Sequence, residues 1–357
     1  MLKNLPVVIR LESLIKNWDS YKNWILPNRS SLNIDYLKNK IGNLPEVPVA
    51  NCNEKYFDSH SKINLSFFEY LEYWENRDKH ENPELLYLKD WHLRNKLPDY
   101  IFYSIPKYFS SDFLNEYLTD IGAEDYKFVY IGPANSFTPF HADVFSSFSW
   151  SVNIFGRKRW IFISPGEENK LKDVYGNLPF TIDIEMLTKY NVKHFVIIQE
   201  TGNAIFVPSN WHHQVYNELD TVSINHNWFN GANISYVYES MKNCENRCRN
   251  EIKDCLSMAN FEQHCQVILK SVFGMDYRDF LTILDHIVQK RVNTIKDIKK
   301  SKVSEEISLD ENHLNFDLNQ IFSVLKVMSS DDEVLFKINS QDYCNKIIEK
   351  IESQLQK

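Results

Sequence analysis

The sequence predicts a mixed α+β fold in which an antiparallel sandwich or barrel is flanked by helical segments. Three observations predict it. Between about residue 126 and residue 228, short strand-like runs follow one another at close spacing, separated by turn residues. On either side, apolar residues recur at helical spacing. The composition, 43% hydrophobic and 14% aromatic with only 9 Gly in 357 residues, suits a large aromatic core better than a glycine-rich phosphate-binding scaffold.

Residues 1–97 read as a mainly helical segment packing on the core, clearest at Leu65-Ser66-Phe67-Phe68-Glu69-Tyr70-Leu71-Glu72-Tyr73-Trp74. Leu85 to Trp91 reads as a short strand entering a polar stretch. Residues 98–233 form the central region. Its strands are Lys127 to Gly132, Phe148 to Phe155, Trp160 to Ile163, His194 to Gln199, Ala204 to Val207 and Thr221 to Trp228, with turns at Gly156-Arg157, Pro165-Gly166 and Thr201-Gly202-Asn203. Residues 234–357 return to helix: a long run from Ile234 to Val288, a polar connector from Asp297 to Glu306, and amphipathic helix from Phe316 to Leu355. Asp331-Asp332-Glu333, after Ser330, reads as a solvated helix start.

Charge and cysteine usage narrow the function classes. A formal net charge of −8, from 40 basic and 48 acidic side chains, gives no footprint for direct nucleic-acid binding. The N-terminus MLKNLPVVIRLESLIKNW is a poor signal peptide, and no apolar stretch is long enough to span a bilayer. Six scattered cysteines do not make the dense framework of a small secreted domain. The expectation is an intracellular, cytoplasmic protein with reduced thiols, by reasoning that does not separate cytosol from nucleus. Cys244, Cys248, Cys255, His264 and Cys265 have the wrong spacing for a zinc finger or ribbon and read as packing residues. Trp150, Trp160, Trp211 and Trp228 read as core.

The chemistry concentrates in two places, His141-Ala142-Asp143 and Trp211-His212-His213. In an extended segment, residues two apart share a face, so His141 and Asp143 reach one ion together. One imidazole from the second place completes two histidines and a carboxylate on one face of an octahedral iron(II), leaving positions open for other ligands. Only one of His212 and His213 can point at the metal, because a shift of one residue changes the face of a strand.

The surroundings of these residues carry a resemblance. Gly132-Pro133-Ala134, Thr138-Pro139-Phe140-His141-Ala142-Asp143, Ser147 to Asn153, Gly156-Arg157-Lys158, Val207-Pro208-Ser209, Trp211-His212-His213-Gln214-Val215 and Ser223 to Trp228 resemble the JmjC branch of the 2-oxoglutarate and iron(II) oxygenases. The likeness extends upstream to Tyr87 to His92 and, more thinly, downstream to His264 to Ile268. It implies a double-stranded β-helix, the cupin-like jelly roll, with N-terminal and C-terminal helices. It implies Fe(II), 2-oxoglutarate as cosubstrate and O2, with His141, Asp143 and His212, the residue directly after Trp211, as metal ligands. His213 is then left outside or behind the ligands. The resemblance further implies that Lys158 and Thr138 hold the far carboxylate of 2-oxoglutarate, a charge-assisted contact worth roughly 1.5–3 kcal/mol. Asn227 and Tyr87 resemble further cosubstrate contacts, with Asn225 ranked below Asn227.

By the same resemblance the substrate is a lysine carbon of the eukaryotic translation termination (release) factor, with succinate and CO2 as coproducts. Two other readings compete. A JmjC histone lysine demethylase shares the triad, but no reader finger, basic tail or second zinc module accompanies it here. A catalytically inactive JmjC-fold binding protein usually lacks a ligand or the lysine, and this chain keeps both. The C-terminal helices offer either a homodimer interface or a monomer's outer layer.

Overall fold

A computed structural model describes residues 1–57, 59–79, 81, 84–300, 309–330 and 339–355. Its strands, in chain order, are β1 (Val7–Arg10), β2 (Val47–Tyr56), β3 (Ser59–Leu65), β4 (Leu86–Trp91), β5 (Lys127–Gly132), β6 (Phe137–His141), β7 (Phe148–Phe155), β8 (Arg157–Ile163), β9 (His194–Glu200), β10 (Asn203–Val207), β11 (His212–Asn217) and β12 (Thr221–Trp228). They form an eight-stranded sheet, β1-β10-β7-β12-β5-β4-β2-β3, and a four-stranded sheet, β6-β11-β8-β9. Every pairing between these strands is antiparallel. The jelly roll expected from the sequence is present.

Strand alternation decides what each face holds. In β7, Phe148, Trp150, Val152 and Ile154 join one large core, while Ser149, Ser151 and Asn153 face the other way. In β12, Val222, Ile224 and Trp228 join that core; Ser223, Asn225 and Asn227 alternate with them. The largest apolar core therefore lies on the outer face of the eight-stranded sheet, under the N-terminal segment, and the inside of the roll is lined with small polar groups. Trp160, Phe162, Ile205, Val207, Trp211 and Val215 fill part of the interior. All four tryptophans read as core from the sequence are buried.

The N-terminal segment is not mainly helical. Four of its stretches, β1 to β4, extend the large sheet at both edges. The helix Phe67–Asn76 forms as its spacing predicts, started by a capping box of Ser66 and Glu69. The strand β2 escapes a periodicity reading because its first half is buried and its second half exposed, with Pro48 near its start. The polar β3 is an edge strand.

C-terminal to β12 the chain is helical, as expected: Ile234–Glu251, Phe261–Phe273, Tyr277–Lys299, Glu311–Ser330 and Gln341–Leu355. These helices share a second core with the helix Phe113–Asp120 and with Phe145. The expected connector 297–306 is helical to Lys299, and its residues 301–306 lie outside the described residues, as does the helix start expected at 331–333. Cys244, Cys248 and Cys265 are buried, and burial pushes the Cys248 thiol up, with the neighbouring Cys244 adding to the shift.

One charge cluster ties this helical region to the roll. Arg291, on Tyr277–Lys299, donates to both carboxylate oxygens of Glu116 at 2.7 Å and to Asp317 at 2.9 Å. Ser111 donates to the same Asp317 oxygen at 2.9 Å. Burial opposes ionisation of Glu116, yet Arg291 holds its carboxyl below the usual range. Without Arg291, the buried Asp317 and the half-buried Glu116 lose their shared cation. Arg291→Met is expected to destabilise the fold by about 3–5 kcal/mol, read from chemical denaturation; a loss under about 1 kcal/mol would show that the cluster contributes no more than a surface pair.

Candidate functional site

Strand β11 lies between β6 and β8, and this pairing builds the site. His213 stands directly opposite His141, with ring centroids 4.4 Å apart. Two residues after His141, the chain swings the Asp143 carboxylate beside both rings. His141, Asp143 and His213 each offer one ligand atom, and these atoms lie within 4.8 Å of one another, the only such group among the described residues.

The expectation that His212 completes the set is corrected. His212 lies on the opposite face of β11, against the Phe140 ring, with Nδ1 3.9 Å from a Glu168 carboxylate oxygen. The reason is strand parity. Trp211, His213 and Val215 face the buried interior, and His212 alternates with them.

Both inward histidines are fixed the same way. His141 Nδ1 lies 2.8 Å from the Pro139 carbonyl, and His213 Nδ1 lies 3.0 Å from the Trp211 carbonyl. A carbonyl only accepts, so each Nδ1 carries the proton and each Nε2 keeps a lone pair for a metal. Burial, reinforced by His213, pushes His141 down to about 4, so this ring is neutral near pH 7.

Asp143 is clamped from two strands. Ser149 donates to Oδ2 at 2.7 Å, and Asn227 donates to Oδ1 at 2.8 Å. The same Asn227 amide reaches Ser147 Oγ at 3.2 Å. Asn227, expected on the cosubstrate, thus engages the carboxylate ligand while still lining the cavity. After Asp143 the chain makes a tight turn with Phe145 and Ser146 at φ 58° and 52°. Such left-handed positions cost of order 1–3 kcal/mol each. Packing of Phe145 against Tyr126 and Phe273, and bonds from Ser146 to Ser240 and Asn210, hold them. Gly274 leaves the space: a Cβ there would lie 2.5 Å from the Phe145 ring.

Behind the triad is a narrow cavity of about 50 Å³, lined by Tyr87, Thr138, Lys158, Asn225 and Asn227 among others. Sequence reading placed Tyr87, Thr138, Lys158 and Asn227 at a cosubstrate, with Asn225 ranked below Asn227. Lys158 is 2% exposed and donates to the Tyr87 hydroxyl at 3.2 Å. No carboxylate pairs with it among the described residues. Burial, with a smaller push from Lys89, lowers its ammonium to about 7. A buried cation left this way calls for an anionic ligand. Gly132 makes the arrangement feasible, since a Cβ there would lie 2.5 Å from the Tyr87 ring and from the Asn217 amide.

In front of the triad a wider cavity of about 430 Å³ opens, with Tyr126, Phe128, Tyr130, Asp90 and His60 in its walls. None of these was singled out from the sequence as a site residue, nor was Ser149. The signal was present for some: Tyr126, Phe128 and Tyr130 alternate into and along β5, and Ser149 alternates with the large residues of β7.

The residues fit iron(II) and 2-oxoglutarate: two imidazoles and a clamped carboxylate for the metal, and an unneutralised lysine for the dicarboxylate. Comparison with known proteins agrees. Residues 128–228 match the family described as JmjC domain, hydroxylase. The chain is 42% identical to the 2-oxoglutarate and iron-dependent oxygenase JMJD4 homolog of Drosophila melanogaster, over 99% of this chain and 89% of that one. It is 37% identical to the human 2-oxoglutarate and iron-dependent oxygenase JMJD4, over 91% and 79%. It is 38% identical to the arginine-specific demethylase JMJ20 of Arabidopsis thaliana, over 80% and 65%.

Two outcomes are expected from calorimetric metal titration. His213→Ala abolishes specific iron(II) binding and turnover, whereas His212→Ala keeps both; the reverse pattern would return the ligand role to His212. Asn227→Ala weakens iron(II) binding by about 10–100-fold, the usual effect of losing a partner that orients a ligand.

Proposed function

Because the chain belongs to the JMJD4 family of 2-oxoglutarate- and iron-dependent oxygenases, we propose that it is a protein lysyl hydroxylase acting on the eukaryotic translation termination factor in the cytoplasm. Iron(II), 2-oxoglutarate and O2 supply the oxidising chemistry, with succinate and CO2 as coproducts. The observation that carries the reading is the wide, aromatic-walled cavity ending at His141 and Asp143, which admits a long side chain from outside. The choice of lysine and of the termination factor rests on the JmjC resemblance described above; the names of the JMJD4 relatives specify the oxygenase chemistry alone.

The chain's own groups divide the work. His141, Asp143 and His213 would hold the metal, and Ser149 and Asn227 keep the carboxylate oriented. Lys158 would take the far carboxylate of 2-oxoglutarate, with the Tyr87 and Thr138 hydroxyls beside it. The deep cavity keeps this end of the cosubstrate away from water, while the reacting side chain arrives through the wide one.

A second reading is demethylation, which the Arabidopsis relative's name favours. Oxidation of an N-methyl carbon needs the same site and releases formaldehyde. Intact-mass and fragment analysis of the termination factor, after incubation with enzyme, iron(II), ascorbate and 2-oxoglutarate, separates the two. A gain of one oxygen on a lysine is expected. Formaldehyde from a methylated peptide, with no oxygen gained on the factor, would favour the second reading.

The Lys158 ammonium makes cosubstrate binding pH-dependent. Its acidity is raised to about pKa 7, so the cation is present below that pH and lost above it unless the ligand recruits a proton. The Kd for 2-oxoglutarate, measured with manganese(II) in place of iron, is expected to stay flat below pH 7 and to rise by up to about tenfold per unit above it. In Lys158→Met, binding is weak throughout and the rise disappears. A wild-type Kd flat from pH 6 to 9 would contradict this assignment.

A further inference from the structure

The wide cavity contains a carboxylate that the metal site does not use. Asp90 sits near the end of β4, where the pairing with β5 slips: Leu88 stands opposite Ile131, but Trp91 stands opposite Val129. Lys89 and Asp90 together stand against Tyr130 alone, one residue in excess, and form a bulge in which Asp90 adopts φ 58°. Bulges next to active sites re-aim side chains, and a left-handed aspartate is kept only where its surroundings hold it. Here the bulge turns Asp90 into the cavity that also exposes His141 and Asp143.

Only one Asp90 oxygen is engaged. Tyr130 donates to Oδ1 at 2.7 Å. Oδ2 has its nearest cation, Lys89 Nζ, at 3.9 Å, beyond hydrogen-bond distance. Burial works against ionisation, but Lys89 and the Tyr130 hydroxyl keep the carboxyl below its ordinary range. Asp90 is therefore an anion with a free acceptor. Tyr126, just before β5, and Phe128 and Tyr130 on it are alternate residues that line the same cavity, with successive ring centroids 6.0 and 6.3 Å apart. Aromatic rings beside a carboxylate suit an aliphatic stem carrying a positive tip.

We propose that Asp90, aimed by the β4 bulge and braced by Tyr130, receives the cationic nitrogen of the substrate side chain, whose aliphatic stem lies along the Tyr126–Phe128–Tyr130 wall. The assignment rests on the reading that a cationic side chain is the substrate, and makes Asp90 the residue that sets that preference. Lys89 and Lys62 also line the cavity, so the arriving nitrogen takes the place at Oδ2 that Lys89 only approaches. Ammonium and guanidinium tips share this chemistry.

The test compares kcat/KM for a termination-factor peptide spanning the oxidised residue with the same peptide carrying norleucine there, and with arginine there. Wild type is expected to prefer the cationic peptides over norleucine by about 10–100-fold, the usual worth of a charge-assisted hydrogen bond. Asp90→Asn, which keeps an acceptor for Tyr130, is expected to bring that ratio close to one, mainly through KM, and Asp90→Glu to restore part of it. The ratio is internal to each variant, so loss of folded protein does not alter it. The lysine and arginine peptides tell which tip fits. Undiminished preference in Asp90→Asn, with an active wild type, overturns the assignment of Asp90 and leaves the lysyl hydroxylase reading standing. A wild type that oxidises neither cationic peptide overturns both.

Discussion

The antiparallel pairing of β6 with β11 is the constraint on which the site depends. It sets His141 opposite His213 across the single ladder between these strands, at a separation that one ion can bridge. Neither ring is free to choose another orientation, because each Nδ1 is tied to the carbonyl two residues earlier in its own chain. A one-residue slip would bring His212 to the inward face and turn Trp211, His213 and Val215 out of the interior they now fill. The register is in turn held by the inward packing of Trp211 and Val215 with Trp160 and Phe162.

The third ligand depends on longer-range structure. Asp143 lies beyond the end of β6, in a turn whose left-handed residues would relax without support. Phe145 anchors that turn in the C-terminal helical core, and Ser146 ties it to Ser240. From the other side Asn227 grips the carboxylate, and the Asn227 carbonyl accepts from Asn115 at 2.9 Å. Asn115 belongs to the helix Phe113–Asp120, whose Glu116 joins the Arg291 cluster. The C-terminal helices thus brace the carboxylate ligand.

Much of the roll was legible from alternation alone. The bounds of β5, β7 and β12 coincide with the expected runs because each strand buries one face in the outer core; the other face is small or polar in β7 and β12 and carries the cavity aromatics Phe128 and Tyr130 in β5. The N-terminal strands were not legible: β2 changes from buried to exposed halfway, and β3 is a polar edge. At the site, the spacing of His141 and Asp143 and the identity of Lys158 were readable. The choice between adjacent histidines went to His212 by resemblance, although Trp211, His213 and Val215 already spelled the inward face. Asn227 was placed at the cosubstrate by resemblance; its contact with Asp143 crosses 84 residues, which no local pattern encodes. Asp90 was hidden for a related reason: a bulge breaks the alternation that a strand reading assumes.

The central claim is that His141, Asp143 and His213 bind one metal while Lys158 binds the far end of a dicarboxylate. Crystallography of the protein with manganese(II) and 2-oxoglutarate, locating the metal by anomalous scattering, tests it most directly. One metal peak is expected at about 2.0–2.2 Å from Nε2 of both histidines and from an Asp143 oxygen, with the distal carboxylate on Lys158 Nζ. A metal bound through His212 and Glu168, or a cosubstrate whose distal carboxylate avoids Lys158, would contradict it.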